Sequence, residues 1–202
     1  LVRLPDRPTG QHVYGAVMKA LTLCGCLALL GCSRAQPAGP SLRALPVKAP
    51  LTIDGKLEEP AWLDAANTGA WLDATQAGRV VPHTVARAAF DAEALVIGLY
   101  MADEDLQSTD HVDVTIGDAR WELPPDTPMR GPVGATGAVD FDGTANDARD
   151  DDEEWAAELK VPWSLLGLRG PTDALPITFT RNDTPRGVPE RHLLWRGRLV
   201  FR

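Results

Sequence analysis

Cysteine is nearly missing from this chain: there are three, Cys24, Cys26 and Cys32, and none beyond residue 32. Everything after that point must hold together by packing and not by disulfides. No apolar run reaches the roughly eighteen residues that mark a membrane-spanning helix. Histidine is scarce, and the three that follow residue 32, His83, His111 and His192, show no metal-ligand spacing. There is no Gly-x-Ser-x-Gly elbow, no His-Glu-x-x-His pair and no cysteine nucleophile in the domain, which removes the common hydrolase signatures. Basic residues are outnumbered, 20 against 28 acidic, for a net charge of −8. A surface of that sign repels nucleic acid and anionic headgroups, so no nucleic-acid partner is expected. Aromatic residues make up only 6%, so each of the six tryptophans is either a core residue or a platform.

What the chain does contain begins with an address label. Met18-Lys19 opens a short basic region, Leu21 to Leu30 is almost wholly apolar, and Leu29-Leu30-Gly31-Cys32 closes it. This is the layout of a secretory signal peptide, too short for an ordinary spanning helix, and its end resembles the lipobox of bacterial lipoproteins. That resemblance implies that Cys32 is released as the new N-terminus and acylated, giving a lipid bilayer partner. Because Ser33 and not Asp follows it, the outer membrane or cell envelope is the implied location. A plain signal peptide with a chance cysteine, or a buried apolar helix, are the alternatives. Residues 1–17 place Pro5, Asp6 and Pro8 ahead of Met18 and read as an over-extended, unfolded start. The domain organisation is then 18–31 leader, 32–50 tether rich in Ala, Pro, Gly and Ser, and one domain over 51–202. Removing Arg3, Arg7, Lys19 and Asp6 leaves 17 basic and 27 acidic side chains, a net of −10. A monomer is expected.

Within the domain the hydrophobic period is mostly two. Residues 84–90, a turn at 91–94 and 95–102 read as a hairpin whose second strand is apolar on both faces and therefore central. Val112, Val114 and Ile116 alternate with His111, Asp113 and Thr115, and Trp121 and Leu123 alternate with Arg120 and Glu122. Further strands are expected at 138–141, 155–161, 177–180 and 193–201. Only 59–66 and 162–166 look helical. The fold class is all-β, a jelly-roll-like sandwich of about eight to ten strands with one or two short helical turns.

Six pieces occur in a telling order: Ile53-Asp54-Gly55-Lys56-Leu57-Glu58-Glu59-Pro60-Ala61-Trp62; the hairpin turning at Phe90-Asp91; Ala102-Asp103-Glu104-Asp105; Asp110-His111-Val112-Asp113-Val114-Thr115-Ile116; Trp155-x-x-Glu158-x-x-Val161-Pro162-Trp163; and Asn182-Asp183 with Trp195 ahead of Arg198-Leu199-Val200-Phe201. Together they resemble the family 9 carbohydrate-binding module and its relatives of the DOMON-like sandwich class. The resemblance implies a non-catalytic binding module that grips a glycan or sugar end on one sheet face. It places the polar readers at Asp113, Glu122, Asn182 and Asp183. Alternation agrees for the first two, which point away from the side that buries Val112, Val114 and Trp121. The same residues also fit a solvated sheet face with ordinary charges.

Departures from the pattern are specific. Sugar-binding members place a stacking aromatic before the acidic strand, where this chain has Gln107-Ser108-Thr109, and a second on a loop after the strand at Trp195, where it has Arg196-Gly197-Arg198. Trp71 is the candidate replacement, an exposed ring in one reading and an end-cap of the sandwich in the other. The acidic run from Asp140 through Glu154 invites calcium, but Asp-x-Asp-Gly sets glycine too early for a calcium-hand loop, and a solvated turn accounts for it as well. No cofactor is required; haem is disfavoured because Met101 and Met129 lack a histidine partner. Two rival functions stand beside sugar binding. One is a structural or protein-interaction lipoprotein, favoured by the missing aromatics; the other is a glycan-active enzyme using Asp113 and Glu122, which an open sheet face disfavours.

Overall fold

The computed structural model describes residues 39–149 and 152–201. The leader, Cys32, and Asp150 and Asp151 of the acidic run lie outside the described residues. Eleven strands run in order: β1 (Ser41–Arg43), β2 (Leu45–Pro46), helix α1 (Pro60–Asp64), β3 (Leu72–Asp73), β4 (Thr84–Phe90), β5 (Ala94–Ala102), β6 (His111–Ile116), β7 (Ala119–Leu123), β8 (Thr136–Phe141), β9 (Glu154–Pro162), a 3₁₀ turn (Trp163–Leu166), β10 (Ala174–Asp183) and β11 (Arg191–Val200). Two sheets form the all-β sandwich. One has the order β1-β11-β10-β6-β7 with β3 also on β11, and the other β2-β4-β5-β9-β8. No helix among the described residues is long and apolar enough to cross a membrane.

Alternation explains the layers. Val112, Val114, Ile116, Trp121, Leu123, Ile177, Phe179, Leu193 and Leu199 turn inward from the first sheet to meet Leu95, Ile97, Leu99, Met101, Trp155, Ala157 and Leu159 from the second. Strand β5 lies in the middle of its sheet, and its second face is buried too. There Val96 and Ala89 meet Trp62, Ala65, Leu51, Ile53 and Leu57. The segment 51–65 is thus a strap across the outside of the second sheet. It turns at Asp54-Gly55, where Asp54 Oδ1 accepts the Lys56 N–H at 3.0 Å, and Pro60 at the first turn of α1 starts the helix. Gly55 has φ 91°, and a Cβ there would lie 2.5 Å from the β8 backbone. Gly98 leaves the room on β5 that the Trp62 ring fills, since a Cβ would come within 3.2 Å of it.

One boundary differs from the sequence reading. Residues 41–46, placed in the tether, are strands: β1 pairs in parallel with β11, and β2 in parallel with β4. Leu42 and Ala44 are fully buried. The prolines and small residues around them hide the two short apolar steps that dock. The folded domain therefore includes residues 41–46, ahead of the boundary at residue 51.

The sandwich is also pinned by charge. Arg181, fully buried on β10, reaches the other sheet, donating to Thr84 Oγ1 at 2.9 Å, to the Ala102 carbonyl at 2.8 Å and to Asp103 Oδ2 at 2.8 Å. It also meets Asp183 Oδ1 at 3.3 Å, and Arg191 holds the other Asp183 oxygen at 3.1 Å. Burial pushes Asp103 up to about 6 against the pull of Arg181.

Candidate functional site

The strap covers one outer face of the sandwich and leaves the other, that of the first sheet, open. Its side chains follow from register. Across β11, β10 and β6 one row reads His192, Asn182, His111. The next, continuing onto β3 and β7, reads Leu72, Leu194, Thr180, Asp113, Glu122. A third reads Arg196, Thr178, Thr115, Arg120. Sequence reasoning needed only parity to place Asp113 with Glu122; it needed the β10–β11 and β10–β6 registers to find the rest.

Hydrogen bonds fix this face. Arg120 grips Asp113 with both prongs, Nε to Oδ1 and Nη2 to Oδ2 at 2.9 Å each, the bidentate geometry that holds a carboxylate most firmly. Burial nonetheless raises the Asp113 pKa, opposed by the bonds from Arg120. Arg130 pairs with Glu122. Asn182 lies between two histidines, its Nδ2 2.7 Å from His111 Nε2 and its Oδ1 2.6 Å from His192 Nδ1. Because His111 Nδ1 faces the Thr109 carbonyl at 2.9 Å, that nitrogen carries the proton and Nε2 accepts from Asn182. The face is a set of fixed donors and acceptors, which can read hydroxyls without reorganising.

Of the sequence-derived site residues, the structure brings Asp113, Glu122 and Asn182 onto one outer face, with Glu122 and Asn182 half-buried and Asp113 only 7% exposed beside Arg120. Asp183 is not there. Odd parity on β10 turns it inward, 1% exposed, into the Arg181 and Arg191 pairs. Trp71 is not an exposed ring either: it is 1% exposed, stacked on Phe179 with centroids 5.4 Å apart and an interplanar angle of 12°, and its indole N–H donates to Thr68 Oγ1. Asp152 of the acidic run ties its own loop to the β5–β6 connection, its two oxygens accepting the Leu106 and Thr144 N–H groups at 2.8 and 3.1 Å. Among the described residues the clusters with ligand-like spacing are elsewhere, His111, Asp113 and Glu122 on the open face and the buried Asp103, Asp110 and Asp183.

The chain matches no family profile and no curated protein by sequence. Its three-dimensional likeness is to carbohydrate-binding structures. A family 9 carbohydrate-binding module from Caldicellulosiruptor kristjanssonii in complex with cellotriose is 11% identical with a TM-score of 0.60, over 80% of this chain and 93% of that one. The same kind of module in complex with glucose gives 10%, 0.61, and 80% and 95%. A candidate carbohydrate-binding protein from Bacteroides uniformis gives 12%, 0.51, and 82% and 100%. The fold is that of a family 9 carbohydrate-binding module.

This family 9-like domain departs from the expected clamp in one clear respect. All six tryptophans, Trp62, Trp71, Trp121, Trp155, Trp163 and Trp195, are 7% exposed or less. The open face offers polar groups and one aliphatic pair, Leu72 with Leu194, and no indole plane. His111, His192, Arg120 and Arg130 are the residues of this face that the sequence reading left without a role. Parity with Asp113 and Glu122 along β6 and β7 carried the signal for His111 and Arg120.

Proposed function

We propose that this domain is a non-catalytic carbohydrate-binding module that takes a glycan or sugar end on the outer face of the first sheet. The observation that carries the reading is the asymmetry of the sandwich. One outer face is sealed by the strap, while the other holds Asp113, Glu122 and Asn182 in fixed hydrogen-bonded positions. A sugar hydroxyl leaving water needs such partners. Asp113 and Glu122 act as acceptors and not as an acid–base pair, because each is already held by an arginine and the sheet face that carries them forms no closed cleft around a reacting bond. The reading needs no cofactor.

An envelope location with a lipid anchor at Cys32 is part of this reading, and the lipobox-like leader supports it. The eight residues from Ser33 to Pro40 span at most about 26–29 Å when fully extended, so the domain works close to its bilayer. A structural or protein-interaction lipoprotein is the second reading, favoured by the burial of all six tryptophans.

Isothermal calorimetry of the full chain in detergent against a panel of neutral oligosaccharides tests the function. Binding that is lost in Asp113→Ala and Glu122→Ala, with melting temperature kept, supports it. No binding to any glycan favours the structural reading. Cys32→Ala tests the anchor: loss of the protein from the membrane fraction is expected, and unchanged fractionation removes the claim.

A further inference from the structure

Strand β11 is bordered by β3 at Leu193–Leu194 and by β1 at Arg198–Val200, and by neither between them. The gap is a cleft of about 340 Å³ lined by Pro40, Thr68, Ala70, Leu72, Leu194 and Arg196, and also by Asp73, whose carboxylate is buried and held by Thr75 and Arg79. Its floor is apolar. Leu72, 75% exposed, pairs in register with Leu194, giving two aliphatic side chains side by side at the margin of a polar face. Its rim is cationic. Arg196 is exposed and, unlike Arg120 and Arg130, has no acidic partner among the described residues. Arg198 and Arg43, exposed and likewise without an acidic partner there, extend the same face, because Arg198 is two residues along β11 and Arg43 pairs with Val200.

Unpaired arginines are unusual company in a chain of net charge −8, where acids to pair with are in excess. The Arg198 N–H donates to the Pro40 carbonyl at 3.0 Å. By the two-residue period of strand edges the Arg196 N–H points to the same side, into the gap. An aliphatic floor, a guanidinium fork and a free edge amide suit a ring with one C–H face and one carboxylate.

We propose that this gap is a subsite for a hexuronate, so that the ligand of the open face is an acidic glycan. The inference rests on the sugar reading given above. The carboxylate takes the Arg196 fork bidentately, the ring lies on Leu72 and Leu194, and Arg198 and Arg43 face the next acidic residue of the glycan. Thr180, Asp113 and Glu122, in the same row as Leu194, read the hydroxyls of the units that continue across the sheet.

The test is calorimetry and affinity electrophoresis of the full chain with a polyuronate, a neutral glycan and duplex DNA, each at low and high salt. The polyuronate is expected to bind roughly tenfold tighter than the neutral glycan at low salt, a gain typical of one charge-assisted bidentate contact, and DNA not to bind. Arg196→Ala should remove that gain, while Arg196→Lys, keeping charge but losing the fork, should keep the salt dependence and lose most of the gain. Equal affinity for both glycans, an unaltered preference in Arg196→Ala, or DNA binding as tight as polyuronate would each overturn the subsite. Absence of binding to neutral and acidic glycans alike would instead remove the sugar reading beneath it.

Discussion

Trp62 donates its indole N–H to Glu158 Oε1 at 3.0 Å, joining the strap to β9 across ninety-six residues of chain. The other oxygen of the same carboxylate accepts the Asp54 and Gly55 N–H groups at 3.0 and 3.1 Å. Glu158 is fully buried, so this one side chain satisfies two buried donors, the Gly55 N–H and the Trp62 indole N–H, and the part-buried Asp54 N–H. Glu158→Ala leaves the two buried donors unsatisfied at about 1–3 kcal/mol each, and a loss on the order of 3 kcal/mol is expected in urea denaturation. Glu158→Gln should also destabilise, because its amide NH₂ turns a donor toward a donor. A double-mutant cycle with Trp62→Phe should show coupling of at least about 0.5 kcal/mol; additivity would dissolve the latch.

The same residue sets a pH dependence. Burial pushes Glu158 up to about 7, against the amides of Asp54 and Gly55 that favour the ion, and burial likewise holds Asp103 near 6. Both acids bind protons more tightly folded than unfolded. Their contribution is therefore complete below the ordinary carboxylate range and is lost as pH rises through about 4 to 7, at a slope of up to about 1.4 kcal/mol per pH unit for each. Asp73 acts the other way. Held down to about 2 chiefly by the Thr75 hydroxyl and amide, it withdraws its stabilisation only as pH falls below about 4. Melting temperature should peak on the acid side, near pH 4 to 5, and fall toward pH 8. Glu158→Gln should flatten that fall.

Truncation separates the tether from the domain. A chain beginning at Leu51 lacks β1 and β2, and with them the fully buried Leu42 and the backbone bonds from Ala44 to Val200 and from Arg198 to Pro40. Burying a leucine is worth about 1.5–3 kcal/mol, so this fragment should melt well below one beginning at Gly39. Equal melting curves would return residues 39–50 to the tether.

What was legible in the sequence was what alternation controls. Strands β4 and β6 to β11 and the shared face of Asp113 and Glu122 follow from a period of two, the central place of β5 from its being apolar on both faces, and two short helical segments were marked by Pro60 and Pro162. Strands β1 to β3 carry two or three residues each, too few to show a period. They exist because β11 and β4 offer open edges, a fact of tertiary pairing. Asp183 and Trp71 were misplaced for related reasons. Asp183 follows the inward parity of Phe179 and Arg181, and an aspartate on that parity is explained only by the buried arginine beside it. Trp71 precedes a two-residue strand, so nothing local reports that its ring stacks on Phe179.

Trp71 should now behave as a core residue. Trp71→Ala is expected to cost about 3–5 kcal/mol, read by chemical denaturation, through the lost stacking on Phe179 and the cavity left in the core. A cost under about 0.5 kcal/mol would mean the ring is solvent-facing after all.

Arg181 holds the two sheets together by charge at one end, and the expected cost of removing it comes from what it leaves behind. Asp103 and Asp183 lie within 2.8 and 3.3 Å of its guanidinium and are themselves buried. Arg181→Ala strands both carboxylates, with only Arg191 left on Asp183, and breaking such a buried pair costs about 3–5 kcal/mol. Replacing the acids along with the arginine should recover much of that loss, since a buried ion network is not in itself strongly stabilising. The triple variant Arg181→Met, Asp103→Asn, Asp183→Asn is therefore expected to be more stable than Arg181→Ala in urea denaturation, and its stability should lose the part of the pH slope that belongs to Asp103. A triple variant less stable than the single would show that the charges, and not merely their pairing, hold the sheets at this end.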